Sequence, residues 1–124
     1  MKYEIEKKEK YYLLTPKEEK IDSTLSPSLK ADFVTFEVEG AKNLIINLDN
    51  VKYIDSSGLS ALLVGNRIFT ENKGSFVICN LNEHVMKLMK IAKLDTVLNL
   101  SPSIQEAIDS IFLDEIEKNL DKEK

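Results

Sequence analysis

The side chains best placed to do chemistry lie in one short run, Asp55-Ser56-Ser57-Gly58. Leu44 to Leu48, broken only by Asn47, is an apolar run suited to a strand buried on both faces, and Val51 to Ile54 carries the chain to that strand's end. Leu59, Leu62 and Leu63 then recur at helical spacing. Taken alone, the polar turn is an ordinary helix N-cap, with Asp55 or Ser56 accepting first-turn N–H groups. The same position also suits a phosphate, because a helix N-terminus favours added negative charge.

Other reactive groups are isolated. His84 is the one histidine, and no G-x-S-x-G or glycine-rich loop with lysine accompanies the serines, so hydrolase and nucleotide-binding readings have little support. The single Cys79 lies in the apolar run Ser75 to Leu81 and reads as a small core residue. No metal-ligand spacing is present, and neither a catalytic residue nor a cofactor is expected. His84, Lys87, Lys90 and Lys93 recur every third residue and read as a solvated basic edge, or as a patch for an acidic partner.

The elements that position the turn follow from periodicity. Lys2–Lys7 alternates and pairs with Tyr11–Thr15 as a hairpin. Ser26-Pro27 reads as an N-cap and first helical position, followed by Leu29, Phe33 and Phe36 on one face and Gly40 as the stop. The helix opened by Gly58 should end at Lys73-Gly74, with Leu59, Leu62, Leu63 and Phe69 inward. Asn82 caps a helix to about Leu94, with Val85, Leu88, Met89 and Ala92 on its core face. Thr96–Leu100 is a last strand, and Ser103 with Glu106 forms a capping box for a helix through Ile111 and Phe112, with a continuation through Ile116 to Leu120 and a fraying DKEK end expected. The alternation implies right-handed β-α-β units, hence a mixed, mostly parallel sheet of about five strands with about four helices. One domain, 1–112, is expected, with 113–124 a charged helical extension or frayed tail.

The stretch V-x-Y-I-D-S-S-G-L-S-A-L-L, Val51 to Leu63, resembles the signature of the STAS domain family, and more narrowly that of the bacterial anti-anti-sigma factors, or anti-sigma factor antagonists. By the order of elements the resemblance runs from about Lys2 to Ile111; it is specific between Leu44 and Leu63. It implies the STAS α/β fold and phosphorylation of Ser57 by a partner that is both anti-sigma factor and GHKL-type serine kinase. That partner would bind around Asp22, Ser23, Thr24, Asp55, Ser56, Gly58 and Leu59 when Ser57 is unmodified and leave when it is phosphorylated, with a phosphatase resetting the switch. Asp22 matches the family aspartate near the phosphoserine; read from the residues alone it is equally a loop acid or cap. The family's usual Gly-x-Leu-Asp or Gly-x-Ile-Asp is here Glu19-Lys20-Ile21-Asp22, so the glycine is missing and an altered turn is expected. The resemblance also admits a structural STAS subunit of a membrane lipid-transport ATPase complex or of a stress-sensing scaffold.

Composition narrows the class. The 124 residues suit one domain, and 17 basic against 21 acidic side chains leave a net charge of −4, unfavourable for direct nucleic-acid binding. No apolar run reaches the roughly 20 residues of a membrane span, and MKYEIEKKEK lacks a signal-peptide core, so a cytoplasmic protein, monomeric or weakly dimeric, is expected.

Overall fold

Two five-residue runs, Asn43–Asn47 and Ser75–Cys79, are buried at every position, as expected of central strands covered on both faces. In the computed structural model, which describes residues 2–123 and side chains through residue 120, they lie at the centre of a five-stranded sheet. The elements are β1 (Tyr3–Lys7), β2 (Tyr12–Pro16), β3 (Lys20–Ile21), α1 (Ser26–Val38), β4 (Asn43–Asn47), β5 (Tyr53–Ile54), α2 (Ser56–Glu71), β6 (Ser75–Cys79), α3 (Glu83–Ile91), β7 (Asn99–Ser101) and α4 (Ile104–Glu123). The order across the sheet is β1-β2-β4-β6-β7, with β1 antiparallel to β2 and every other pair parallel. This is the mixed, mostly parallel sheet with four helices that the periodicity implies.

Alternation along the strands divides the core. Leu14, Leu44, Ile46, Phe76 and Ile78 face one side, where Phe33 and Phe36 of α1, Leu62 and Phe69 of α2, and Val85 and Met89 of α3 cover them. Leu13, Ile45, Val77 and Cys79 face the other, covered by Ala107 and Ile111 of α4. Cys79 is fully buried, which pushes its thiol up to about 11 and leaves it a packing residue. Gly65 is required where α2 meets the sheet, since an added Cβ would fall 2.5 Å from the Phe76 ring and 2.9 Å from Phe33.

Several local expectations are corrected. Val51–Ile54 does not continue β4: the chain turns after Leu48, whose carbonyl accepts the Val51 N–H at 3.0 Å, and Tyr53-Ile54 forms its own strand, β5, paired in parallel with β3 in a separate two-stranded sheet. Ser26 is the first residue of α1, not its cap; Leu25 holds the cap position. α2 ends in a Schellman turn in which Lys73, with φ +63°, takes the left-handed place, while Gly74 is needed because an added Cβ would come 1.6 Å from the Lys42 carbonyl. α3 stops at Ile91, Ala92 is exposed, and Leu94–Thr96 forms a 3₁₀ turn, so the last strand begins at Asn99 and not at Thr96. α4 continues through residues 113–123; the fraying expected of 121–124 falls on side chains outside the described ones.

Candidate functional site

β5 delivers the chain to Asp55, whose backbone is extended and whose carboxylate caps α2. One carboxylate oxygen, Oδ1, accepts both the Gly58 N–H at 2.9 Å and the Ser57 hydroxyl at 2.7 Å. The Leu59 N–H completes the first turn on the Asp55 carbonyl at 2.9 Å. Ser57 is thereby held half-buried in one orientation, while Ser56 beside it is exposed and Leu59 is partly buried against the core. Gly58 is buried because α2 starts hard against β3: an added Cβ would lie 2.4 Å from the Ile21 carbonyl and 2.6 Å from Ile54 Cγ2.

The second half of the site comes from the turn between β3 and α1. Asp22 accepts from the Thr24 N–H at 3.0 Å and the Thr24 hydroxyl at 2.6 Å, so its carboxylate closes its own turn and makes no described hydrogen bond to Ser57. Ser23 and Thr24 are exposed beside it. The small β3–β5 sheet ties this turn to the other, with the Asp55 N–H on the Ile21 carbonyl at 3.2 Å. The residue bridging the halves is Ser26, buried, with its hydroxyl oxygen 3.4 Å from that of Ser57. Sequence reasoning did not find it, because its serine-proline context reads as a helix cap and the contact depends on how α1 and α2 converge. The missing glycine leaves no left-handed backbone here: neither Glu19 nor Lys20 has a positive φ, and the Glu19 carbonyl receives the N–H groups of Lys52 at 2.7 Å and Tyr53 at 3.1 Å.

Hydrogen bonds favour the ionised form of both carboxylates. The Gly58 N–H, then the Ser57 hydroxyl, hold Asp55 below its ordinary range, opposed by the charge of Asp22. The Thr24 hydroxyl and N–H do the same for Asp22, aided by Lys2 and Lys20. Ser57 therefore looks out from an acidic, pre-formed helix N-terminus. His84 stacks on Tyr53 with ring centroids 6.1 Å apart, and no hydrogen bond to either serine is described for it. Among the described residues no cluster of acids, histidines and cysteines could hold a metal, and no helix is long and apolar enough to cross a membrane.

A mixed, mostly parallel α/β sheet, with a capped serine opening the helix that follows its small side-sheet, is the frame in which this site sits. The STAS domain model matches residues 2–107, and the chain belongs to the STAS domain family. Among curated relatives it is 23% identical over 87 residues to BtrV of Bordetella bronchiseptica, described as an anti-sigma factor antagonist, covering 70% of this chain and 75% of that one. A Thermotoga maritima protein described as an anti-sigma factor antagonist superposes with a TM-score of 0.81 at 21% identity, covering 88% of this chain and 93% of the other. The Bacillus cell fate determinant SpoIIAA in its phosphorylated form superposes with a TM-score of 0.68 at 20% identity, over 88% of this chain and 98% of that one.

Proposed function

We propose that this protein is an anti-sigma factor antagonist that works by partner switching in the cytoplasm. With a free Ser57 hydroxyl it binds an anti-sigma factor that is also a GHKL-type serine kinase; phosphorylation of Ser57 ends the complex and a phosphatase restores it. The protein is substrate and docking module, not catalyst. The observation that carries the reading is the hydroxyl of Ser57, pre-oriented by Asp55 on an exposed helix start with no further acid–base machinery attached. Support comes from relatives described as anti-sigma factor antagonists and from a structural neighbour described in a phosphorylated form. Asp22, Ser23, Thr24, Asp55 and Ser56 form the docking surface in this reading, with Gly58, buried, and Leu59, packed against the core, supporting it from beneath. The test is affinity capture with wild-type and Ser57→Asp bait, followed by ATP and mapping of the modified residue. A GHKL-type kinase retained by wild type alone, with phosphate on Ser57, is the expected result. Equal retention by both baits, or phosphate on Ser56, would remove the reading.

A second reading, a structural subunit of a larger assembly, is favoured by one feature. Phe112, Leu113, Ile116 and Leu120 form an exposed apolar stripe on α4, away from the face that covers the sheet. Light scattering on wild type and Ile116→Glu decides it: assembly abolished by the substitution supports this reading, and a monomer in both cases removes it.

A further inference from the structure

The Ser26 hydroxyl has an acceptor that does not need it. The Asp22 carbonyl receives three donors: the Leu25 N–H at 3.1 Å, the Ser26 N–H at 2.9 Å and the Ser26 hydroxyl at 2.8 Å. A carbonyl oxygen has two lone pairs, and the two backbone N–H groups already fill them. The hydroxyl is the surplus donor, 97% buried and 3.4 Å from Ser57 Oγ. Each serine carries one proton. That of Ser57 goes to Asp55 and that of Ser26 goes to Asp22, so the two oxygens face each other with no strong bond between them.

Phosphorylation changes both sides of this contact. A phosphoryl group on Ser57 Oγ replaces its proton, so Asp55 Oδ1 loses a donor and faces a dianion instead. The ester must turn away from Asp55, and the dianion seeks O–H or N–H donors. Four backbone N–H groups at the start of α1 and α2 are already held: Leu25 and Ser26 by the Asp22 carbonyl, Gly58 by Asp55 Oδ1 and Leu59 by the Asp55 carbonyl. The charged groups facing the site are Asp22 and Asp55, with Lys2 and Lys20 near Asp22. The Thr24 hydroxyl is held by Asp22. The Ser26 hydroxyl, the third donor on the Asp22 carbonyl and 3.4 Å from Ser57 Oγ, is the buried donor at hand for the modified oxygen.

We infer that Ser26 is a positioning residue for the phosphorylated state: its hydroxyl swings from the Asp22 carbonyl to a phosphoryl oxygen of phospho-Ser57 and fixes that group against the start of α1. This rests on the reading that Ser57 is the modified residue. Because the Asp22 carbonyl keeps both backbone donors, Ser26→Ala should fold normally, so structural damage and loss of the contact are separable.

The test installs phosphoserine at position 57 during translation, so no kinase is needed, and titrates the phosphorus NMR signal in wild type and Ser26→Ala. A donor to the dianion lowers the second phosphate pKa, so Ser26→Ala should raise it by about half a unit. The unmodified Ser26→Ala protein should match wild type in its urea midpoint to within the error of the measurement. Identical phosphorus titrations in the two proteins would overturn the inference. Failure of a native kinase to modify Ser57 would count against the proposed function and leave this titration intact.

Discussion

One oxygen atom organises the site. Asp55 Oδ1 holds the first-turn N–H of Gly58 and the hydroxyl of Ser57 at once, so the carboxylate that starts the helix also aims the serine. Because those bonds favour the ionised form, the folded-state pKa of Asp55 is depressed, as is that of Asp22. Their contribution to stability is therefore complete above the ordinary carboxylate value of 3.8 and is lost as pH falls through the lower folded values. Urea midpoints followed into acid should fall less steeply in Asp55→Asn, which keeps a capping oxygen but no titrating carboxylate; an unchanged slope would show that Asp55 is not part of the acid transition. At the start of α3, Asn82 Oδ1 accepts the Val85 N–H at 2.7 Å, and Asn82→Ala should cost about 1 kcal/mol by urea denaturation.

At the scale of elements, two close approaches set the position of α2. Its first turn touches β3 through Gly58, and Gly58→Ala should destabilise by about 1–3 kcal/mol, since the Cβ meets a backbone carbonyl that cannot move aside. At the other end Lys73 occupies a left-handed conformation that glycine adopts more cheaply, so Lys73→Gly should raise the thermal midpoint, gaining about 1 kcal/mol. These two features also show what the sequence could and could not reveal. The buried runs 43–47 and 75–79, the amphipathic face Leu29-Phe33-Phe36 and the capped turn at Asp55 were legible because burial on both faces, helical period and capping chemistry each leave a local pattern. β3 and β5 were not, since two residues carry no period and their pairing is decided by tertiary contact. The end of α2 near Lys73-Gly74 was legible, but the role of the glycine was not: glycine signals a helix stop and also a close backbone approach, and here it serves the second purpose while Lys73 makes the left-handed turn. Ser26 was missed for a related reason: its role lies across 31 residues of chain, at an oxygen no spacing rule connects to it.

For the whole molecule, α4 is more than a cover for one sheet face. Beyond the last residue matched by the family model, Asp114 accepts the Ser75 hydroxyl at 2.9 Å and Glu115 accepts the buried Asn43 amide at 2.9 Å. Lys118 donates to the Lys73 carbonyl at 2.5 Å and pairs with Asp114 at 3.0 Å. These contacts hold the ends of β4 and β6 that lie away from Ser57. Ending the chain after Phe112 should cost about 1–3 kcal/mol by leaving Asn43 and Ser75 without those partners, seen as a lower urea midpoint. An unchanged midpoint would make residues 113–124 dispensable for folding.

The two-residue pairing of β3 with β5 has a consequence for how this surface can diversify. Ile21 and Ile54 are in register, and the turns that follow each of them carry Asp22 and Asp55. The two turns therefore form one rigid bracket, suspended beside the main sheet instead of being built into it. Extra residues inserted among Lys17, Glu18 and Glu19, ahead of the bracket, would lengthen its tether and leave its geometry unchanged. Insertion between Ile21 and Ser26 would pull the two halves out of alignment. The approach to the bracket can thus change in length, while the bracket itself, anchored by the buried Ile21 and Ile54, cannot.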